Sequence, residues 1–180
     1  MAITPSMNEF ILHWGEMGTR WGINRTVAQV HALLYLSDDP LTAEEIADTL
    51  AVARSNVSTS LRELQNWQLV HAVPRLGDRR DRFHTTHDVW QLFLTVIDQR
   101  VEREVLPTLA VLRRCAANAR SEKPAHPSVT QRILAMQAFF EEGHTWYRNM
   151  RALPVAMLRT LMHIGPGITR LLPGRKRKTA

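Results

Sequence analysis

Apolar residues recur every three to four positions along most of this chain, and the polar residues between them sort into faces and turns. Residues 5–19 place Phe10, Ile11, Trp14 and Met17 on one helical stripe, with Gly15, Gly18 and Gly22 expected to loosen its end. Asn24 precedes a second period from Arg25 to Ser37, where Val27, Val30, Leu33, Leu34 and Leu36 predict a largely buried helix stopped by Asp38-Asp39-Pro40. Thr42-Ala43-Glu44-Glu45 reads as a capping box, in which the Thr42 hydroxyl accepts from a first-turn amide and Glu45 accepts from the Thr42 amide. Ile46, Ala47 and Leu50 give the short helix that follows its apolar face. Ala51-Val52-Ala53 interrupts the period, and Val57, Leu61 and Leu64 restart it. Two short helices across a tight turn predict a helix-turn-helix.

The second of these helices carries the informative surface. Opposite its apolar positions stand Arg54, Ser55, Asn56, Ser58, Thr59 and Arg62, with Glu63 the only acid before the helix ends near Trp67. Ser, Thr and Asn weaken a helix interior by competing for backbone hydrogen bonds, so several together cost stability unless another use offsets it. Contacts to phosphates and base edges in a major groove are such a use. A solvated face with a Ser/Thr-rich start is the plain alternative, and this stretch alone does not separate the two. Leu69 to Pro74 alternates as a strand, Leu76-Gly77-Asp78 reads as a turn, and Arg82 to Thr86 is expected to pair back as a second strand. Helix, turn, polar helix and hairpin is the winged-helix order. The expected hairpin tip carries Arg75, Arg79, Arg80 and Arg82 against Asp78 and Asp81, suited to a minor groove or its phosphates, or else a charge-balanced exposed hairpin.

From Asp88 a helical period runs through Val89, Leu92, Phe93, Val96, Ile97, Val101 and Val105, and Pro107 inside it predicts a kink or break before Leu109 and Leu112. Beyond the loop at 121–127, Ser128 is expected to cap a helix whose Ile133, Met136, Phe140 and Tyr147 share a face. These helices and the first one need a partner surface. They predict the arms of a two-fold dimer with recognition helices about one DNA turn apart, the alternative being an intrachain bundle. Val155, Met157, Leu158, Leu161 and Met162 with Arg159 and Arg170 form an amphipathic stretch interrupted by Gly165-Pro166-Gly167. It is expected to pack on the arm, with an acidic surface as the other option.

Composition adds a partner class. The 180 residues suffice for one domain with an appendage, and a net charge of +6 favours an anionic partner. Arg175 to Lys178 hold +4 of that +6, leaving +2 on residues 1–174, so much of the basicity reads as a loose tail adding non-specific DNA affinity. Cys115 is the sole cysteine, which excludes an intramolecular disulfide and a thiolate metal cluster. No long uncharged apolar run and no secretory start are present, so a cytoplasmic protein without stable membrane insertion is expected. Glu141-Glu142-Gly143-His144 lacks the preceding histidine of a zinc motif, and His84 and His87 read as a surface pair. Cys115 has no base beside it, and no glycine-rich phosphate loop occurs. No catalytic residue, metal or cofactor is expected. Trp14, Trp21 and Trp90 are candidate walls of an effector pocket, because aromatic faces hold quaternary ammonium ions by cation–π attraction; aromatics at helical spacing otherwise belong to a core.

The segment from Trp21 through Leu36 to Pro40-Leu41-Thr42, the polar helix, Gly77-Asp78-Arg79-Arg80-Asp81 and Asp88-Val89-Trp90 together resemble the GbsR-type branch of the MarR-like winged-helix regulators, over roughly residues 8–115. The resemblance implies a homodimer on double-stranded operator DNA, commonly a repressor, in some relatives responding to osmolytes or precursors such as choline. Such proteins commonly start the recognition helix with serine, where this chain has Ala53; either Ser55 caps a later start or the end is less rigid, at about 1 kcal/mol. The expected fold is mainly α with a small β-hairpin wing: a winged helix-turn-helix plus long helical dimerisation arms. It is divided into an N-terminal helix serving as a dimer arm (1–22), a DNA-binding domain (23–87), a helical dimerisation region (88–172) and a disordered basic tail (173–180). Two other classes stay open, a DNA-binding architectural or co-regulatory protein without ligand, and a winged-helix module that docks proteins or membranes.

Overall fold

The computed structural model describes residues 3–121 and 126–168; the expected basic tail at 173–180 lies outside the described residues. The chain divides into two compact units, Met1–Arg100 and Val101–Ala180. Helix α5, expected to open the distal helical region after residue 87, falls in the first of them.

The first unit runs α1 (Pro5–Arg20), α2 (Arg25–Tyr35), β1 (Leu41–Thr42), α3 (Ala43–Leu50), α4 (Arg54–Asn66), β2 (His71–Arg75), β3 (Asp78–His84) and α5 (Val89–Arg100). The starts of α1 and α2 are set by side chains: the Thr4 hydroxyl accepts from the Met7 amide at 3.3 Å, and Asn24 Oδ1 accepts from the Thr26 amide at 2.8 Å. Val30, Leu33 and Leu34 of α2 meet Ile46 of α3, Val57, Leu61 and Leu64 of α4, and Val70, all fully or almost fully buried. Each such side chain contributes about 1.5–3 kcal/mol of burial, so α2 is the post around which the helix-turn-helix is built.

Gly15 and Gly18 do not loosen α1. Both are buried inside it, and a Cβ on Gly18 would come within 2.6 Å of Ala28 Cβ, so the small residues let α1 and α2 approach closely.

The wing is larger than the hairpin expected. β1, a two-residue strand overlapping the Thr42 cap, pairs with β3 to give an antiparallel sheet of order β1-β3-β2, with Leu41 opposite Phe83 and Thr42 opposite Arg82. Strand β3 starts at Asp78, so Asp78 to Asp81 belong to the ladder and the turn is Leu76-Gly77 alone, bracketed by the pair Arg75 and Asp78. Gly77 has φ +82°, a conformation that a side chain resists. The register slips between Val73 and Arg75, where Pro74 has no amide to give the ladder.

The second unit begins with a π-helical segment, Val101–Val105, followed by α6 (Leu106–Ser121), α7 (Pro127–Arg151) and α8 (Val155–Ile168). Pro107 is the second residue of α6, directly after the π turn in one unbroken helical run, so the expected interruption takes the form of that π turn. Helices α6 and α7 pack antiparallel over Leu109, Ala116 and Ala119, and Arg113 Nε donates to Glu141 Oε1 at 2.9 Å. Two boundaries differ from expectation. Helix α7 starts at Pro127 behind His126, with no side-chain cap from Ser128, because proline is preorganised for a first helical position. Helix α8 runs through Gly165-Pro166-Gly167 instead of stopping there.

Candidate functional site

The capping box forms as the sequence requires: the Thr42 amide donates to Glu45 Oε2 at 2.7 Å, and the Glu45 amide donates to Thr42 Oγ1 at 3.2 Å. The Thr42 amide bond, ahead of other contacts, holds the Glu45 carboxyl below its usual range. At the other end of α3, Ala51 adopts the left-handed conformation (φ 52°, ψ 43°) and the Val52 amide reaches back to the Ala47 carbonyl at 3.1 Å. This closure fixes the turn into α4 without a glycine. Ala53 is the N-cap of α4, extended at φ −62° and ψ 137°, and no side chain caps the helix, so Ser55 does not start it later.

Arg54, Ser55, Asn56, Ser58, Thr59 and Arg62 are all exposed, whereas Val57, Ser60, Leu61 and Leu64 are buried behind them. Five of the six share the centre of one helical face, and Asn56 lies on its flank. Exposed Gln65 continues that face beyond the Ser/Thr-rich start, where the sequence carries no comparable signal. Arg54 is braced by Glu44 of α3 at 2.7 Å, which ties the first turn of α4 to the preceding helix.

The four wing arginines separate. Arg79 is exposed on β3. Arg80 makes a two-pronged contact with Asp78, Nε and one terminal nitrogen each at 2.9 Å, and these bonds lower the Asp78 pKa to about 2 while raising that of Arg80. Arg75 is the last residue of β2. Arg82 is not at the tip: its side chain is 16% exposed and points toward α3, donating to the Pro40 carbonyl at 2.9 Å and meeting Glu45 Oε2 at 3.3 Å. The physical reason is register, since Arg82 stands opposite Thr42 and therefore next to the capping box.

An apolar cavity of about 460 Å³ opens beside this unit's helices, walled by α1, α2, the end of α4 and α5. Trp14 and Trp21 line it; Trp90 does not, and instead packs edge-on against Phe93 at 6.1 Å. Phe10, stacked on Trp14 at 5.2 Å, with Tyr35, Trp67 and Phe93, completes the aromatic wall. Gly18, Ala28 and Ala32 also line the cavity. Glu63 and Arg100 bring the wall's charged groups, the Arg100 guanidinium lying 5.8 Å from the Trp67 ring centre. His31 also faces the cavity, and burial lowers its pKa from 6.5 to about 4, so at neutral pH it is an uncharged wall residue. The Thr85 hydroxyl donates to the Leu69 carbonyl at 2.6 Å and lies 3.4 Å from His31 Nε2.

The His84 ring lies tilted beside that of His71 across the sheet, with 5.8 Å between their centres, and His87 Nε2 reaches the Ser37 carbonyl at 3.2 Å. Among the described residues no group of three or more His, Cys, Asp or Glu side chains is placed to hold a metal ion.

Residues 21–81, from the α1–α2 turn to the wing, match the MarR family. The chain is 24% identical to the HTH-type transcriptional repressor GbsR of Bacillus subtilis (strain 168) over 98 residues, 54% of each protein. It is also 24% identical to the HTH-type transcriptional repressor OpcR of the same organism over 76 residues, 42% of this chain and 41% of that one. It thus spans about half the length of the curated relatives it matches. A crystal structure of a transcriptional regulator superposes with a TM-score of 0.64 at 21% identity, over 82% of this chain and 96% of that one. The match to the MarR family thus covers the helix-turn-helix and most of the wing, and the fold is that of a solved transcriptional regulator.

Proposed function

We propose that the protein is a homodimeric, sequence-specific DNA-binding transcriptional regulator of the repressor type. The observation that carries this reading is α4: six polar and cationic side chains exposed on a helix whose opposite face is locked into the core. A helix so mounted can enter a major groove without costing the fold its packing, with Arg62, Asn56 and the hydroxyls of Ser55, Ser58 and Thr59 offered to base edges and phosphates. Arg79, exposed on the wing, supplies a contact to the flanking backbone. The two curated relatives named above are both repressors, which supports the sign of regulation. The dimer is supported by the second unit, where Phe139 and Trp146 of α7 are 68% and 65% exposed, leaving large aromatic surface for a second copy.

Selecting bound sequences from a random duplex pool tests the assignment. Wild-type protein is expected to enrich a two-fold-symmetric site, and Arg62→Ala or Asn56→Ala to blur it, each at about 1–3 kcal/mol for the base it reads. A wild-type pool without sequence preference contradicts it.

The cavity favours a further role in sensing a small molecule. Its volume lies in the range of ligand sites, its wall is aromatic, and Glu63, Leu64 and Trp67 belong to the recognition helix or its cap, so an occupant bears directly on α4. Aromatic faces with one carboxylate suit a quaternary ammonium compound. Titrating choline against DNA-bound protein checks this: release of DNA at a concentration that also changes tryptophan emission supports the reading, and no change in either opposes it.

A further inference from the structure

One ring nitrogen in the cavity wall has its chemistry set by its neighbours. His31 sits on α2 and lines the cavity. Its Nε2 lies 3.4 Å from the Thr85 hydroxyl, and that hydroxyl donates its proton to the Leu69 carbonyl at 2.6 Å. With the proton committed to Leu69, the Thr85 oxygen can only accept from the histidine, so His31 carries a hydrogen on Nε2. Burial lowers the His31 pKa to about 4, and the ring at neutral pH holds that one proton and no other. Its Nδ1 is therefore a bare lone pair, fixed as an acceptor by a hydrogen-bond chain that ends on the backbone between α4 and β2.

This lone pair is left open by the protein. Among the described residues Nδ1 has no hydrogen-bond partner. Nor is it sealed in, since the one buried side-chain nitrogen or oxygen without a partner among the described residues is Arg82 Nε. An accessible acceptor on a wall of aromatic rings selects among occupants of the cavity. An occupant that presents carbon to Nδ1 removes the hydrogen bond that water would give it, and one that presents another lone pair is repelled. A hydroxyl or an N–H satisfies it. Tyr35, one turn further along α2, also lines the cavity, but its phenol both gives and accepts and sets no such preference. The wall thus makes two separate requirements: a cation for the rings and Glu63, and a donor for His31.

We infer that His31 is a specificity-determining residue of the cavity, accepting at Nδ1 a hydrogen bond from the ligand, and that the ligand class is an organic cation bearing a hydroxyl or N–H donor. This rests on the reading of the cavity as an effector site and adds to it the part of the ligand away from the charge.

The test compares choline with its methyl ether, which keeps the quaternary ammonium and exchanges the hydroxyl proton for a methyl group. The cavity, at about 460 Å³, has room for the added carbon. Titrations followed by tryptophan emission are expected to show wild type binding choline about tenfold more tightly than the ether. His31→Phe keeps a ring in the wall without an acceptor, and is expected to bring the two affinities together by weakening choline alone. Nitrogen NMR of ligand-free wild type, which depends on no variant folding, is expected to show Nε2 protonated and Nδ1 bare. Equal affinities in wild type, a preference that survives His31→Phe, or a proton on Nδ1 would each overturn the inference and leave the cavity reading standing. Binding of neither compound would refute the cavity reading and this inference with it.

Discussion

His31 is the residue whose chemistry differs most from its free state. Its folded pKa is lowered to about 4 from 6.5, so between those two values an unfolded chain takes up a proton that the folded one refuses. Stability from this group is complete above pH 6.5 and is lost as the pH falls toward 4, a change on the order of 3 kcal/mol. Urea denaturation at pH 7 and pH 4.5 is expected to show that loss in wild type and much less of it in His31→Gln; parallel curves for the two proteins would assign the acid sensitivity elsewhere. Glu63 and Arg100 share the cavity wall with His31, and the nearby His87 ring meets Tyr35, so the variant isolates one group of several. Arg79 and Arg82 pose a second contrast. Arg82 bridges the wing to the capping box through Pro40 and Glu45, whereas Arg79 is exposed. Arg82→Met is therefore expected to cost about 1 kcal/mol in denaturation, and Arg79→Ala to leave stability within about 0.5 kcal/mol while weakening binding to all DNA sequences alike.

The start of α4 and the contact of α1 with α2 are where single substitutions reshape elements. Ala53 already has extended N-cap geometry and lacks only an acceptor, so Ala53→Ser is expected to raise stability by about 1 kcal/mol in thermal denaturation. Gly18→Ala is expected to lower it by about 1–3 kcal/mol, because a Cβ 2.6 Å from Ala28 Cβ forces the two helices apart. Local signals made much of this legible in the sequence. Thr42 and Glu45 spelled a capping box, Val57, Leu61 and Leu64 gave the inward face of α4, and Asn24 marked the start of α2. Long-range signals did not show. Strand β1 exists only because β3 comes to lie beside Leu41 and Thr42, forty residues away in sequence, and the same pairing turns Arg82 inward. Gly15 and Gly18 read as breakers because the sequence does not reveal which helix will lie across them.

The molecule has two kinds of surface in separate compact units: a polar helix face on a winged helix that is similar to the MarR family over residues 21–81, and a second unit whose α7 and α8 expose aromatic and aliphatic side chains. Arg54, Ser55, Asn56, Ser58, Thr59 and Arg62 were legible in the sequence as the polar side of α4, because helical periodicity sets them apart from Val57, Leu61 and Leu64; Gln65, beyond the Ser/Thr-rich start, was not. Nor was the cavity. It is lined by Gly18, Ala28 and Ala32 together with rings from four elements, and of Trp14, Trp21 and Trp90 the last packs elsewhere. If the second unit carries the dimer, Phe139→Glu with Trp146→Glu is expected to halve the mass seen by light scattering and to weaken operator binding by at least about tenfold, because two half-sites then bind separately. The central claim is most directly tested by measuring the affinity of the purified protein for DNA from upstream of its own coding sequence and for random duplex, each at two salt concentrations. The α4 surface predicts tighter binding to the upstream fragment at both salts, with the preference reduced by Arg62→Ala. Equal, purely salt-driven affinity for both DNAs would contradict it.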